Sequence, residues 1–194
     1  MSMPNNAQPV APKRQRGRDR IEAILEAATG LLHEKPYEAV TMTEVAARSD
    51  TAIGSLYRFF PTKTALAATL LERYGAKLIG ALDGLVERPG ALTADEAAEG
   101  LMAIVQGLRR DRSMALALID SEAGLAVGRP SLRGPTTERM ARLIARLGGR
   151  ADAAQAKMLL HLVKAAFALP DDEPALDAEA KVALRAYLQQ MQAG

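Results

Sequence analysis

The chain has 194 residues, a net charge of +2, 48% hydrophobic and 25% charged residues, and no cysteine. This composition is that of a globular protein, and the absence of cysteine excludes disulfide scaffolds, thiolate metal sites and cysteine nucleophiles. No apolar run approaches the roughly 18 residues that a membrane-spanning helix needs, and the N-terminus lacks the apolar core of a secretory signal. These features predict a soluble cytoplasmic protein.

The excess positive charge lies near the N-terminus, where Lys13, Arg14, Arg16, Arg18 and Arg20 surround one acidic residue, Asp19. A basic arm of this kind is typical of nucleic-acid contacts. A solubilising disordered tail would have the same composition, so charge alone leaves both interpretations open. Residues 1–15 contain three prolines and are predicted to be disordered.

A helix is predicted next, because Ile21, Ile24, Leu25, Ala28, Leu31 and Leu32 recur at helical spacing. It ends before Pro36. A short helix running to Ser49 follows, capped either by Thr43 or by Thr41 with Glu44 in a capping box. A second short helix is predicted over Ile53–Phe59. Pro61 and Thr62 end it, and Thr62 caps a long helix that begins at Lys63.

The rest of the chain is predicted to form helices near 93–109, 112–126, 131–147, 151–168 and 176–191. The breaks fall at Gly128–Pro130, at Gly148–Gly149 and at the Pro170–Pro174 loop. No segment alternates with a period of two over any length. The predicted fold is therefore all-α with about nine helices.

The two short helices joined by a tight turn form a helix-turn-helix pattern, in which the second helix fits the DNA major groove. Ala52, Gly54 and Ser55 are small enough for close approach to DNA. Thr51, Ser55 and Tyr57 supply hydroxyls for phosphates or base edges. A glycine inside a helix costs up to about 1 kcal/mol relative to alanine, which favours a functional reason for Gly54. Lys63 lies at a helix N-terminus, where phosphate is favoured.

The aromatic residues of this region separate by helical phase. Leu56 and Phe60 are predicted to face the core, with Ala52 or Ile53 one turn earlier. Tyr57 then points away from the core, where its hydroxyl can reach a phosphate. Phe59 packs the small domain in one interpretation and contacts DNA in the other.

The stretch TMTEVAARSDTAIGSLYRFFPTKTAL, residues 41–66, resembles the helix-turn-helix of TetR-type transcriptional regulators. The similar features are the Val-Ala-Ala start, the glycine before Leu-Tyr, the aromatic pair and the Lys-x-x-Leu ending. The resemblance implies a DNA-binding domain over residues 16–66. It also implies a ligand-binding and dimerisation domain over residues 67–194, which dimerises through its last two helices.

The resemblance implies that DNA is contacted by seven residues, some of which their side-chain chemistry also favours: Thr43, Ile53, Gly54, Ser55, Tyr57, Phe59 and Lys63. With Arg16, Arg18 and Thr51 added from the sequence itself, the candidate DNA-binding residues are Arg16, Arg18, Thr43, Thr51, Ile53, Gly54, Ser55, Tyr57, Phe59 and Lys63. Asp50 stands where the family often has glycine. Ile53 cannot hydrogen-bond a base but can touch a thymine methyl group. Arg16 and Arg18 are candidates for the minor groove.

The resemblance implies a ligand pocket in the C-terminal part, and three methionines favour an adaptable apolar one. Its candidate lining residues are Met102, Val105, Met114, Leu118, Met140 and Ile144. The candidate dimer interface is the apolar face of the last two helices, with Ala156, Leu160, Val163, Phe167, Leu184, Tyr187 and Leu188. Packing within one chain would use the same residues in both cases.

The sequence therefore predicts a homodimeric, sequence-specific transcriptional regulator rather than an enzyme. We expect a repressor released from a palindromic operator by a small apolar or amphipathic ligand. No phosphate-binding loop or nucleophile motif is present, and no metal or other cofactor is expected. An all-α small-molecule-binding protein and a non-specific DNA binder are the alternatives.

Overall fold

The computed structural model describes residues 13–121, 124, 132–150 and 152–192. Within this part the chain folds into eight α-helices and one short 3-10 helix, Tyr37–Ala39, with no strand. The α-helices are α1 Lys13–Glu34, α2 Met42–Arg48, α3 Ile53–Phe59, α4 Lys63–Val86, α5 Ala94–Ile119, α6 Arg133–Arg146, α7 Ala153–Phe167 and α8 Pro174–Gln192. The predicted all-α class is confirmed.

Helix α1 begins at Lys13, three residues inside the segment predicted to be disordered. The remainder of that segment, residues 1–12, lies outside the described residues. Arg16 and Arg18 are therefore helical and exposed rather than part of an extended arm. Between Lys13 and Ile21 the only residue that disfavours a helix is Gly17, and the helix continues through it. The apolar periodicity begins at Ile21 and therefore marks only the buried part of α1.

Helix α2 is capped by Thr41 and not by Thr43. The Thr41 hydroxyl accepts from the Glu44 backbone N–H at 3.2 Å, and the Glu44 carboxylate accepts from the Thr41 backbone N–H at 2.9 Å. This reciprocal capping box satisfies two N–H groups that a helix start otherwise leaves unpaired. Thr62 caps α4 as predicted, accepting from the Ala65 backbone N–H at 3.0 Å.

The two helices predicted at 93–109 and 112–126 begin as one helix, α5, which runs unbroken from Ala94 to Ile119. The predicted break fell on the charged run Arg109–Arg112, which contains no proline or glycine. Charge alone does not end a helix, and here Arg109, Asp111 and Arg112 contact side chains of other helices. Gly100 lies where α5 crosses α4, since a Cβ there would meet Leu85 at 2.4 Å.

One continuous apolar core runs through both halves of the chain, from Ile24 in α1 to Leu188 in α8. The predicted domain boundary after residue 66 falls inside α4, which takes part in both halves. Ion pairs at the edge of the core tie distant helices together: Asp83 of α4 pairs with Arg139 and Arg142 of α6, and Arg109 of α5 pairs with Asp177 of α8. No helix in the described ranges is long and apolar enough to cross a membrane.

Candidate nucleic-acid interface

The turn between α2 and α3 is held by backbone geometry and by a buried threonine. Asp50 adopts the left-handed conformation with a φ of 48°. Thr51 is only 6% exposed, its N–H donates to the Ala46 carbonyl at 2.9 Å and its hydroxyl donates to the Ser49 carbonyl at 3.2 Å. Thr51 is therefore a turn residue and not the predicted DNA contact.

Helix α3 presents one side to the core and the other to solvent. Leu56 at 0% exposure and Phe60 at 5% anchor it, as predicted from helical phase. Ala52, which precedes the helix, supplies no side-chain cap and is exposed. The start of α3 is therefore fixed by burial of Leu56 and Phe60 and not by a capping side chain.

The exposed side of α3, called here its outward face, consists of Ile53, Gly54, Tyr57 and Arg58, with half-buried Ser55 at its edge. Ile53 is 43% exposed and Tyr57 is 47% exposed, which is high for large apolar and aromatic side chains in a folded chain. No protein atom lies within 4 Å of the place where a Gly54 Cβ would stand. The protein's own packing therefore does not require glycine there.

One predicted contact on this side, Phe59, needs correction, and one residue, Arg58, has to be added. Phe59 is half-buried and packs against the core, so it supports the small domain and leaves the outward face. Arg58 is exposed, with its guanidinium 5.8 Å from the Phe59 ring centre, and sequence reasoning missed it. Its position one turn after Gly54 on the same helical face was the signal that could have found it.

The other predicted contacts lie on neighbouring helices. Thr43 is exposed on the first turn of α2. Lys63 is half-buried at the start of α4, with its ammonium 4.1 Å from the Tyr37 ring centre and donating to the Glu38 carbonyl at 3.3 Å. In the described part of the chain, none of the ion pairs includes Arg16, Arg18, Arg20 or Arg58.

Helix α2 is fastened to the C-terminal end of α1 by two ion pairs. Arg48 binds both carboxylate oxygens of Glu34, at 2.6 and 2.9 Å, which lowers the pKa of Glu34 and raises that of Arg48. Lys35 donates to Glu44 at 2.5 Å. That bond, with those from Thr41, lowers the pKa of Glu44 from its ordinary value of 4.5 to about 2. Both carboxylates are therefore ionised at neutral pH, and α1 sets the orientation of the pair α2 and α3.

The predicted ligand-pocket residues are packed core in this structure. Met102, Val105, Met114, Leu118, Met140 and Ile144 are each at most 4% exposed and belong to the continuous apolar core. Met114 also lines a cleft between α1, α4 and α5 of about 620 Å³. Helical periodicity marks a buried face, and it does not distinguish a packed face from the wall of a cavity.

The predicted dimer-interface residues also face inward. Ala156, Leu160, Val163, Phe167, Leu184 and Leu188 are buried within the single chain. Tyr187 is half-buried, and its hydroxyl donates to the Gln155 carbonyl at 3.2 Å. The opposite sides of α7 and α8 instead expose small and apolar residues, including Met158 at 51% and Val182 at 45% exposure.

Comparison with known proteins finds similarity in the N-terminal region. Residues 24–70 match the family described as bacterial regulatory proteins, tetR family. The HTH-type transcriptional repressor KstR of Mycolicibacterium smegmatis is 45% identical over 56 residues, which is 29% of this chain and 28% of that protein. The match therefore spans less than a third of the length of this curated relative.

Solved structures resemble the chain over most of its length. A TetR-like transcriptional regulator from Rhodococcus sp. RHA1 has a TM-score of 0.65 and 20% identity, covering 95% of this chain and 100% of that one. A structure titled SmeT–triclosan complex has a TM-score of 0.67 and 19% identity, covering 90% of each chain. At these identities the likeness shows a shared fold.

Proposed function

We propose that this chain, whose residues 24–70 are an N-terminal domain of the TetR family, is a sequence-specific DNA-binding transcriptional regulator. In this proposal it is a cytoplasmic repressor that binds a palindromic operator. A small apolar or amphipathic ligand releases it from that operator. The observation that carries the proposal is the outward face of α3. It leaves a bare glycine, an exposed isoleucine, an exposed phenol and an exposed guanidinium on one short helix beside a tight turn.

Each group on this face suits a different part of DNA. The Ile53 side chain can contact a thymine methyl group, and Ser55 can hydrogen-bond a base edge. Tyr57 and Arg58 can reach phosphates, the first as a neutral donor and the second as a cation. Gly54 lets the helix backbone come close to the sugar-phosphate chain. A helix with this face fits the major groove, which is about 12 Å wide.

The flanking helices supply backbone contacts in this proposal. Thr43 on α2 and Lys63 at the start of α4 bind phosphates on either side of the groove. Arg16 and Arg18 approach the DNA from the exposed first turns of α1, as a helical extension instead of an extended arm.

The homodimer forms through the outward sides of α7 and α8. On α7 the exposed residues Ala154, Met158, His161 and Ala165 recur every three or four positions, and on α8 Ala175, Ala178, Val182 and Ala186 do the same. Such a stripe of small and apolar side chains lets two helix pairs pack closely as a four-helix bundle. A two-fold axis there brings the same surface of both protomers together.

Ligand release follows from the dimer geometry. Each protomer reads one half-site, and the two α3 helices must lie about 34–36 Å apart to enter successive major grooves. A ligand that binds more tightly to a dimer with another spacing lowers the affinity for the operator. The ligand exerts this effect only through its unequal affinity for the two arrangements.

Fluorescence anisotropy tests the DNA-binding part of the proposal. Duplexes selected by the protein from a random pool are compared with scrambled duplexes at two salt concentrations. We expect preference for the selected sequence to persist at the higher salt, since base contacts do not release counterions. Equal and salt-labile binding to both duplexes would instead indicate a non-specific binder. Absence of binding at low salt would leave a small-molecule-binding protein.

Sedimentation equilibrium tests the dimer. Met158→Glu places a charge in the proposed interface, so we expect it to give monomers at a concentration where the unaltered chain is dimeric. Leu116→Glu is the matched control, because Leu116 is 43% exposed but lies on α5, outside the proposed interface. A monomeric unaltered chain, or equal effects of the two substitutions, would contradict the assignment.

A further inference from the structure

A second cleft lies where the C-terminal turn of α1 meets α5 and the link between α7 and α8. Its volume is about 320 Å³, at the lower end of the range for small-molecule sites. Phe167, Leu169 and Pro170 give it an apolar floor, and Leu116 forms an apolar edge that is 43% exposed. His33, Arg110, Arg112 and Ser113 surround this floor with polar groups.

The charge of this cleft is not balanced. Arg109 is neutralised, because its guanidinium pairs with Asp171 at 3.1 Å and with Asp177 at 2.7 Å. Arg110 and Arg112 take part in none of the ion pairs found among the described residues. Two arginines therefore face a partly apolar cleft without a carboxylate partner. Arg110 also lines the larger cleft between α1, α4 and α5. That cleft is different because its other cations have carboxylate partners, with Glu22 paired to Arg73 and Asp111 paired to Lys77.

Arg112 contacts both the floor of the cleft and the Tyr74 side chain of α4. Its guanidinium carbon lies 5.1 Å from the centre of the Phe167 ring, in a cation–π contact. The cation is thus held directly beside the apolar surface. A molecule with a negative head and an apolar chain would satisfy both features at once, because its head meets the guanidinium while its chain covers Phe167 and Leu169.

The positive charge of Arg110 also acts on His33, which lines the same cleft. The pKa of His33 is lowered first by partial burial and then by the charge of Arg110, and Asp111 opposes this with a smaller effect. A bound anion would favour the protonated imidazole and so act against both lowering causes. His33 is one of only two histidines in the chain, which makes it a specific probe.

We propose that this cleft binds a carboxylate- or phosphate-headed molecule with a short apolar chain, and that this molecule is the regulatory ligand. The regulatory part rests on the function proposed above. The cleft touches the last turn of α1, where His33 precedes Glu34, and Glu34 holds α2 through Arg48. A ligand seated against His33 therefore acts on the helix that orients the DNA-reading face.

Imidazole NMR of the full chain tests binding without DNA, using octanoate, octyl phosphate, octanol and inorganic phosphate as probes. We expect octanoate or octyl phosphate to shift the His33 resonances and raise the pKa of His33, while His161 stays unchanged. Octanol and inorganic phosphate should bind at least about tenfold more weakly, since each lacks one of the two recognised parts. The ratio of octanoate to octyl phosphate affinity identifies the preferred head group.

Charge-removing variants locate the site. Arg110→Gln alters an exposed side chain outside every ion pair described, so the fold should persist, and we expect octanoate affinity to fall about tenfold. Arg112→Met should weaken binding further, and circular dichroism checks that it folds. Arg150→Gln removes one exposed charge elsewhere and should leave affinity unchanged. Unmoved His33 resonances, equal binding of octanol, or equal effects of Arg110→Gln and Arg150→Gln would overturn the site.

DNA anisotropy then tests the regulatory part separately. In the unaltered chain, saturating octanoate should weaken binding to the selected duplex, and in Arg110→Gln the same concentration should have less effect. If octanoate shifts the His33 resonances to saturation and DNA affinity does not change, the regulatory role is overturned and the binding site is retained. If the chain binds no DNA at all, the proposed function fails, and the NMR result still decides the site.

Discussion

Gly54→Ala should make the protein more stable and a weaker DNA binder. Gly54 is the second residue of α3, and a Cβ there would meet no protein atom within 4 Å. The added methyl group therefore costs nothing in packing and gains part of the helix propensity difference of up to about 1 kcal/mol. For a chain of this size, 1 kcal/mol raises the melting temperature by about 2–4 °C.

The effect on binding has the opposite sign, because the same methyl group stands on the face proposed to approach DNA. Forcing an extra carbon into a close-packed contact costs about 1–3 kcal/mol. The proposed dimer inserts two copies of α3, so the loss should reach about 2–6 kcal/mol, or at least about thirtyfold in affinity for the selected duplex. Some relaxation of the DNA backbone would place the result at the lower end.

Gly80→Ala is the matched control. Gly80 is exposed in the middle of α4 and also has no protein atom within 4 Å of its absent Cβ. It should gain stability by a similar mechanism and leave DNA affinity unchanged. Calorimetric melting and fluorescence anisotropy on both variants give the two readouts. If Gly54→Ala is more stable and binds DNA as tightly as the unaltered chain, the outward face of α3 does not approach DNA, and the reasoning from its bare surface is refuted.

Three further predictions concern the same region. Arg58→Gln should make the fall of log affinity with log salt less steep by about 1.8, since each phosphate contact contributes about 0.9 and the proposed dimer has two. Tyr57→Phe should lower affinity and leave this slope unchanged. If Arg58→Gln and the unaltered chain have equal slopes, Arg58 does not contact a phosphate. Asp50→Ala should lower unfolding free energy by about 1 kcal/mol because of the positive φ, whereas Asp50→Gly should preserve or raise it, as urea denaturation would show. The lowered pKa of Glu44 means that its stabilising effect is complete above the ordinary value of 4.5 and is lost as pH falls towards about 2. Between about pH 5 and pH 3, the free energy of unfolding should therefore fall less in Glu44→Gln than in the unaltered chain. If it falls equally in both, the assigned ion pair is contradicted.

The helix-turn-helix region was the most predictable part of the chain because local signals agree there. A capping threonine, a turn and helical phase each point to the same short helices, and burial of Leu56 and Phe60 follows from phase alone. Thr51 was misplaced because its hydroxyl suits both a phosphate and a backbone carbonyl. Only the fold shows that the Ser49 carbonyl takes it.

The C-terminal half was predictable in class and not in detail. The last two helices were found within a few residues of their ends, but their buried side was assigned to a partner protomer when it packs inside the chain. An apolar stripe has the same spacing whether it covers a neighbouring helix or a second copy. The exposed stripe containing Met158 and Val182 was not distinguished from the buried one because alanines dominate it, and alanine occurs equally well on either side of a helix. The charged cleft at Arg110 and Arg112 is built from three distant segments, so no local pattern could reveal it.

The division of α3 into anchoring and exposed positions has a consequence for how such proteins diversify. Leu56 and Phe60 hold the helix, while the residues at positions 53, 54, 57 and 58 contribute little to the core. In the proposed regulator, mutations at those four positions can accumulate after gene duplication without unfolding the protein or altering a response to a ligand bound elsewhere. Two duplicated copies of such a regulator can therefore acquire different target genes while they respond to the same ligand, so that one ligand comes to control a growing set of operons.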